Sequence, residues 1–178
     1  MKERLVALLK ELSYEKKRVV LASGRESDFY VDGRQTTLNA EGSWLIGNLV
    51  LDALEPGVDG VGGLVVGADP IAAATAAVSF HRGQPIHAFL VRKQPKGHGM
   101  QRHVEGRKSL PNGSRVCVVE DTCTTGGSML RAIELCTAEG LEVVQCLTIV
   151  DRNEGARERL AEAGYRLDVL VEREDLEA

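Results

Sequence analysis

Val116-Cys117-Val118-Val119-Glu120-Asp121-Thr122-Cys123-Thr124-Thr125-Gly126-Gly127-Ser128 carries an apolar run straight into two acids and then into a turn of threonine and glycine. A run of β-branched and other apolar residues reads as a buried strand, and the glycines followed by Met129, Leu130 and Ile133 read as the start of a helix. In an open α/β sheet, ligands bind beyond the carboxyl ends of the strands, so acids placed there face the site. Hydroxyls and unhindered N–H groups ahead of a helix N-terminus wrap a phosphate, helped by the helix dipole. Two adjacent acids are costly to bury unpaired and are out of place in a phosphate nest. A ligand with hydroxyls, or a cation, resolves that conflict, and a ribose phosphate satisfies both halves of the segment.

Outward from this segment the chain alternates. Leu5, Val6, Leu8, Leu9 and Leu12 predict a helix over residues 3–12, and Trp44, Leu45, Leu49 and Val50 predict another over 41–54, ended by Pro56-Gly57. Residues 19–30 are punctuated by Gly24 and Ser27, and residues 31–37 read as irregular or β-rich. Apolar runs follow at 61–66, 86–91, 116–119, 143–150 and 167–171, with helices expected after Pro70, after Gly127 and over 154–163. This alternation predicts an α/β fold, a mostly parallel sheet covered by helices on both faces. At 178 residues the chain has the size of one domain, taken as 1–178.

With 43% hydrophobic and 27% charged residues the chain is neither disordered nor collagen-like. A net charge of −4 argues against a protein that coats nucleic acid. The longest apolar stretch, 64–77, contains Gly67, Asp69 and Pro70 and is no membrane span, and residues 1–12 lack the order of a signal peptide. The cytoplasm is the expected compartment. Cys117, Cys123, Cys136 and Cys146 form no C-x-x-C pair and are expected to be reduced structural thiols.

Residues 94–113 are the one long stretch without periodicity, with Gly97, Gly99, Gly106 and Gly113 among Lys96, His98, Arg102, His103, Arg107 and Lys108. Such a loop suits an active-site lid over a phosphate-rich ligand, and composition alone leaves a solvated loop as the other reading.

The central segment has neither the G-x-G-x-x-G of a dinucleotide site nor the lysine of a P-loop. An acidic N-cap would explain Asp121 or Thr122 but not the whole string. Residues 118–128 resemble the ribose phosphate motif of type I phosphoribosyltransferases: an apolar strand, two acids, then Thr/Gly/Ser. That resemblance implies a central, mostly parallel sheet flanked by helices, a small hood near the N-terminus and a flexible catalytic loop. It also implies that Glu120 and Asp121 hold the ribose hydroxyls of phosphoribosyl pyrophosphate. Thr122, Cys123, Thr124, Thr125, Gly126, Gly127 and Ser128 would embrace its 5′-phosphate, and Asp121 matches the acid proposed to assist at the base.

Arg92-Lys93-Gln94-Pro95-Lys96-Gly97-His98-Gly99 resembles the lid of the orotate branch, which makes Arg92, Lys93, Lys96 and His98 ligands of the departing pyrophosphate, partly across a dimer interface. Lys93, Lys96 and His98 would thereby join Asp121 as catalytic groups, through electrostatic stabilisation and proton supply. Residues 23–32 are similar to that branch's S-G-x-x-S-x-F-Y segment, so Phe29 and Tyr30 would pack on a base, although without the family an aromatic pair reads more simply as core. Residues 151–156 resemble its D-R-x-E-G turn. Arg152 would there meet the carboxylate of orotate with Thr124 nearby, the plain alternative being a surface salt bridge.

Magnesium is expected to be bound mainly through the substrate, with no dedicated protein ligand, and the resemblance implies a homodimer. Two positions depart from the pattern, Ala22 and Asp69, where family members often carry lysine. They leave open an enzyme for another base, purine or uracil. A regulator that senses phosphoribosyl pyrophosphate is the reading from a different class.

Overall fold

The computed structural model describes residues 1–17, 19–20, 26–27, 29–94 and 102–177. An amphipathic helix α1 (Lys2–Leu12) opens the chain and buries Leu5, Leu8 and Leu9. Two short antiparallel pairs follow, β1 (Tyr14–Glu15) with β4 (Tyr30–Val31), and β2 (Val19–Val20) with β3 (Glu26–Ser27). The stretch expected to be irregular or β-rich instead holds a helix, α2 (Gly33–Thr37), whose first turn is capped by the Asp32 side chain accepting from Arg34 N. Thr36 and Thr37 disfavour helix by their branched Cβ. Burial of both side chains, with Thr36 hydrogen-bonded to Ser13 at 2.7 Å, overrides that preference.

After α3 (Ala40–Ala53) come β5 (Gly60–Leu64), α4 (Ala68–His81) and β6 (His87–Val91). Then β7 (Val104–Glu105), β8 (Arg115–Cys123), α5 (Gly127–Ala138), β9 (Glu142–Asp151), α6 (Ala156–Glu162), β10 (Leu167–Val171) and α7 (Arg173–Glu177) complete the order. Six strands form one sheet in the order β10-β9-β8-β5-β6-β7, parallel except for β7 at the edge. Along β8 the residues alternate between two cores. Cys117 and Val119 join α1, α3 and α4 on one face, while Val116 and Val118 join α5 and α6 on the other. All four cysteines are unpaired and buried, as expected, and burial pushes the Cys136 and Cys146 thiols up to about 12.

The expectation of one aperiodic loop over 94–113 is corrected in its second half. Val104 and Glu105 pair with Val91 and Leu90, residues Arg107–Ser109 form a single 3-10 turn, and Leu110 is fully buried. Val104 and Leu110 anchor this segment, and two apolar residues so spaced leave no periodic trace. Residues 95–101, which include Lys96 and His98, lie outside the described residues. No helix among the described residues is long and apolar enough to cross a membrane.

The first strand of the sheet to form a parallel pair, β5, reads Gly-Val-Gly-Gly-Leu, and its glycines let the neighbours close in. A Cβ at Gly62 would stand 2.1 Å from the Phe89 carbonyl oxygen, and one at Gly63 would stand 2.2 Å from that of Val119. Gly63→Ala should therefore cost about 3 kcal/mol or more in denaturant unfolding, the upper range of overpacking. Gly83→Ala, whose Cβ meets nothing within 4 Å, should cost only the ~1 kcal/mol of its left-handed backbone. Equal losses for the two would contradict the close approach in β5.

Candidate active site

From β5 the chain crosses to β6 on one side and returns through β8 on the other, so the carboxyl ends of β5 and β8 meet where the direction of winding reverses. Crevices form at such points because consecutive connections leave on opposite sides. A cavity of about 420 Å³ opens there, lined by Tyr30, Val31, Asp32 and Arg34, by Leu64, Val65, Val66 and Gly67, by Lys93, by Glu120, Asp121 and Thr122, and by Ser128. The peptide between Val65 and Val66 is cis.

Strand β8 continues through both acids to Cys123, which holds them in the sheet rather than in a loop. Asp121 is clamped: a Cβ at Gly67 would lie 2.5 Å from its Oδ1, and one at Gly33 would lie 2.9 Å from its Oδ2. Burial raises the Asp121 carboxyl above its usual range and Asp32 adds to the effect, while backbone N–H groups of Thr122 and Asp121 and the Arg34 charge oppose it. Glu120 is shifted further. Burial, then the Asp121 charge, push it up to about 7, against hydrogen bonds from Ser128 and Cys123 and the charge of Lys93. The Thr122 hydroxyl is buried without a hydrogen-bond partner among the described residues. Buried hydroxyls ordinarily find partners, so its orphaned state points to a ligand in the cavity. Two carboxylates short of cations, an orphaned hydroxyl and one lysine form a pocket that suits a ligand with hydroxyls and a compensating positive charge.

Beyond Cys123 the chain passes through half-buried Thr124 and Thr125 to Gly126, at φ 73°, from which α5 starts without a side-chain cap. The first turn of α5 thus presents uncapped N–H groups beside the cavity. Cys123 belongs to the stretch expected to embrace a phosphate. Its side chain is fully buried behind Glu120, so only its backbone is available to a ligand.

Other expected residues are arranged less simply. Lys93 faces the cavity, whereas the Arg92 guanidinium pairs with Glu105 of β7 at 2.9 Å. Tyr30 lines the cavity, but the Phe29 ring is only 1% exposed beneath it, stacked with Tyr14 and covered by the Arg152 guanidinium. Arg152 is itself buried, donating to the Phe29 carbonyl at 3.2 Å and paired with Glu154 at 3.0 Å, and its backbone N–H joins the end of β8 through the Cys123 carbonyl. It is neither the exposed surface pair of the plain reading nor part of the cavity lining. Lys96, His98 and the residues 21–25 that hold Ala22 and the S-G pair lie outside the described residues. Asp69, where a lysine is common, sits at the start of α4, raised by burial and opposed by the Arg92 charge.

Sequence reasoning missed Asp32, Gly33 and Arg34. Arg34 Nε donates to Asp32 Oδ1 at 2.8 Å, and this pair stands beside Asp121. The signal was the Asp-Gly step after the aromatic pair, a turn-forming combination that brings a short capped helix against the acids.

The raised Glu120 carboxyl fixes a direction in pH. Between its ordinary 4.5 and about 7 the folded chain holds a proton that the unfolded chain has lost, so this group lowers stability as pH rises through that window. Glu120→Gln should gain stability relative to the parent at about pH 8 and not at about pH 5 in denaturant titrations. A difference independent of pH would contradict the burial of that charge.

Comparison with known proteins gives the same direction. A phosphoribosyl transferase domain is matched over residues 70–166. The orotate phosphoribosyltransferase of Sorangium cellulosum (strain So ce56) is 47% identical over 98% of this chain and 92% of its own. The crystal structure of Mycobacterium tuberculosis H37Rv orotate phosphoribosyltransferase in complex with Fe(III) dicitrate superposes with a TM-score of 0.84 at 44% identity, covering 99% of each chain. That of the same enzyme in complex with 5-phospho-alpha-D-ribosyl 1-diphosphate gives 0.79 at 40%, again over 99% of each. With its strand-borne acid pair, its threonine-glycine turn and this likeness over nearly its whole length, the chain belongs to the phosphoribosyltransferase family, among the orotate phosphoribosyltransferases.

Proposed function

We propose that the chain transfers the 5-phosphoribosyl group of phosphoribosyl pyrophosphate to orotate, giving orotidine 5′-monophosphate and pyrophosphate. The observation that carries this reading is the half-buried acid pair Glu120 and Asp121, which shares its cavity with Lys93 and with Ser128 of the uncapped first turn of α5. The carboxylates accept hydrogen bonds from the ribose hydroxyls. The hydroxyls and N–H groups of residues 122–128 take the 5′-phosphate. The bond from the anomeric carbon to the diphosphate oxygen breaks while a ring nitrogen of the base bonds to that carbon, through a transition state with oxocarbenium character. Lys93, joined by Lys96, His98 and Arg92, meets the negative charge that grows on the diphosphate. Tyr30, which lines the cavity, faces the base, and the motif assigns the base's carboxylate to Thr124 and Arg152, the latter resting on the Phe29 ring.

Magnesium fits the site. Asp32, Glu120 and Asp121 bring a surplus of carboxylate to the cavity, yet no group of three potential ligands among the described residues converges to cage a metal. A cation held mainly by water and substrate oxygens would suit that arrangement, with Asp32, Glu120 and Asp121 as its nearest carboxylates, and when bound it would supply charge neutralisation. Residues 1–178 act as one domain in this reading, since Asp32 and Arg34 near the N-terminus and Arg152 beyond β9 serve one site. Four unpaired thiols accord with the cytoplasm, and exposed Leu38, Trp44 and Phe80 offer apolar surface that a second copy would cover in a homodimer.

The deciding experiment is loss of orotate absorbance with phosphoribosyl pyrophosphate and magnesium, with uracil, hypoxanthine and adenine in parallel. Magnesium-dependent consumption of orotate is the expected result. Turnover of another base overturns the substrate, and no turnover together with nucleic-acid binding favours the regulator. Asp121→Asn should weaken binding of magnesium phosphoribosyl pyrophosphate ~10- to 100-fold by calorimetry, the worth of a charged hydrogen bond. Unchanged binding would remove that acid from the ribose site.

A further inference from the structure

The turn after β9 is held by the C-terminal helix, a segment that carries no family signature. The guanidinium carbon of Arg152 lies 4.7 Å from the centroid of the Phe29 ring, and that of Arg173, on α7, lies 4.2 Å from the same centroid. The ring is 1% exposed and Arg152 is 4% exposed, while the Arg173 side chain is 28% exposed, so the Arg152 contact is formed out of water and the Arg173 contact partly so, which strengthens the attraction between cation and aromatic face. Arg173 is fixed on its helix by Glu177 at 2.7 Å. The helix is fixed in turn by Lys2 against Asp175 at 3.1 Å, by Asn153 donating to Glu174 at 3.0 Å, and by buried Leu176. Asn153 is the residue next to Arg152 and the one described non-glycine residue at positive φ, 54°. Helix α7 therefore grips two consecutive residues of this turn, one directly and one through an aromatic ring.

We propose that Arg173 is a positioning residue for the base side of the site: by covering Phe29 it fixes the ring on which the Arg152 guanidinium rests. Its contribution is to narrow the orientations open to Arg152. This inference rests on the reading that Arg152 meets the carboxylate of orotate.

The test uses the full chain and steady-state kinetics with orotate and phosphoribosyl pyrophosphate varied separately, with thermal unfolding alongside. Arg173→Met keeps the length of the side chain and removes its charge. It should raise KM for orotate about five-fold, the equivalent of a partly buried cation–π contact. KM for phosphoribosyl pyrophosphate and kcat should stay within about two-fold. Arg173→Lys, which restores a cation over the ring, should recover most of the loss. Arg173→Gln carries the same expectation as the Met variant should that one fail to fold. If Arg152→Met raises KM for orotate but Arg173→Met does not, or if the Lys variant is as impaired as Met, the positioning role is overturned while the reading of Arg152 stands. If Arg152→Met leaves KM for orotate unchanged, the reading of Arg152 falls and this inference with it. A lowered Tm with both KM values unchanged would reduce Arg173 to a structural contact.

Discussion

Two neighbouring carboxylates at the end of one buried strand set the terms for the rest of the molecule. Partly desolvating Glu120 and Asp121 side by side is unfavourable, and repulsion acts in the same direction, from Asp121 on Glu120 and from Asp32 on Asp121. The surroundings offset only part of this. Gly33 and Gly67 bring backbone against the Asp121 oxygens, Ser128 and Cys123 donate to Glu120, and Lys93 and Arg34 supply charge from a distance. The remaining imbalance is relieved by a ligand, and a site left incomplete in the free protein is one that gains on binding.

The same economy of space runs through the sheet below. The glycines of β5 allow β6 and β8 to approach so closely that no side chain fits between, and β8 then delivers its acids to the point where the winding reverses. Because those acids continue a regular strand rather than a loop, their placement is as firm as the sheet itself. The more adaptable parts of the site come from the ends of other elements: Lys93 just past β6, Asp32 and Arg34 at the start of α2, and Arg152 just past β9.

The sheet was legible wherever a strand was long and buried on both faces, as in β8 and β9, because continuous Val, Ile, Leu and Cys admit few other readings. The acid pair and its threonine-glycine turn were legible for a different reason: no structural role accounts for such residues together. What escaped was decided by tertiary contact. Thr36 and Thr37 hide the helix α2, which burial and the Asp32 cap impose. Val104 and Leu110 are too sparse to announce an ordered edge. The roles of Phe29 and Arg152 were separable only in three dimensions, since a motif names residues without saying which one covers another. Lys96 and His98 lie outside the described residues, so their reading remains that of the motif.

The antiparallel edge strand β7 has a consequence of its own. Arg92 N–H donates to the His103 carbonyl at 2.8 Å, and the His103 ring meets the Arg92 carbonyl at 2.9 Å. Glu139, at the end of α5, accepts from the backbone N–H groups of His103 and Val104. The two ends of the intervening segment are thereby fastened at one rung, on the rim of the sheet and away from its core. For a segment closed in this way, the entropic cost of closure rises only slowly with length. A change in chain length between Lys93 and Arg102 therefore bears little on the stability of the sheet, which this rung uncouples from the segment it closes.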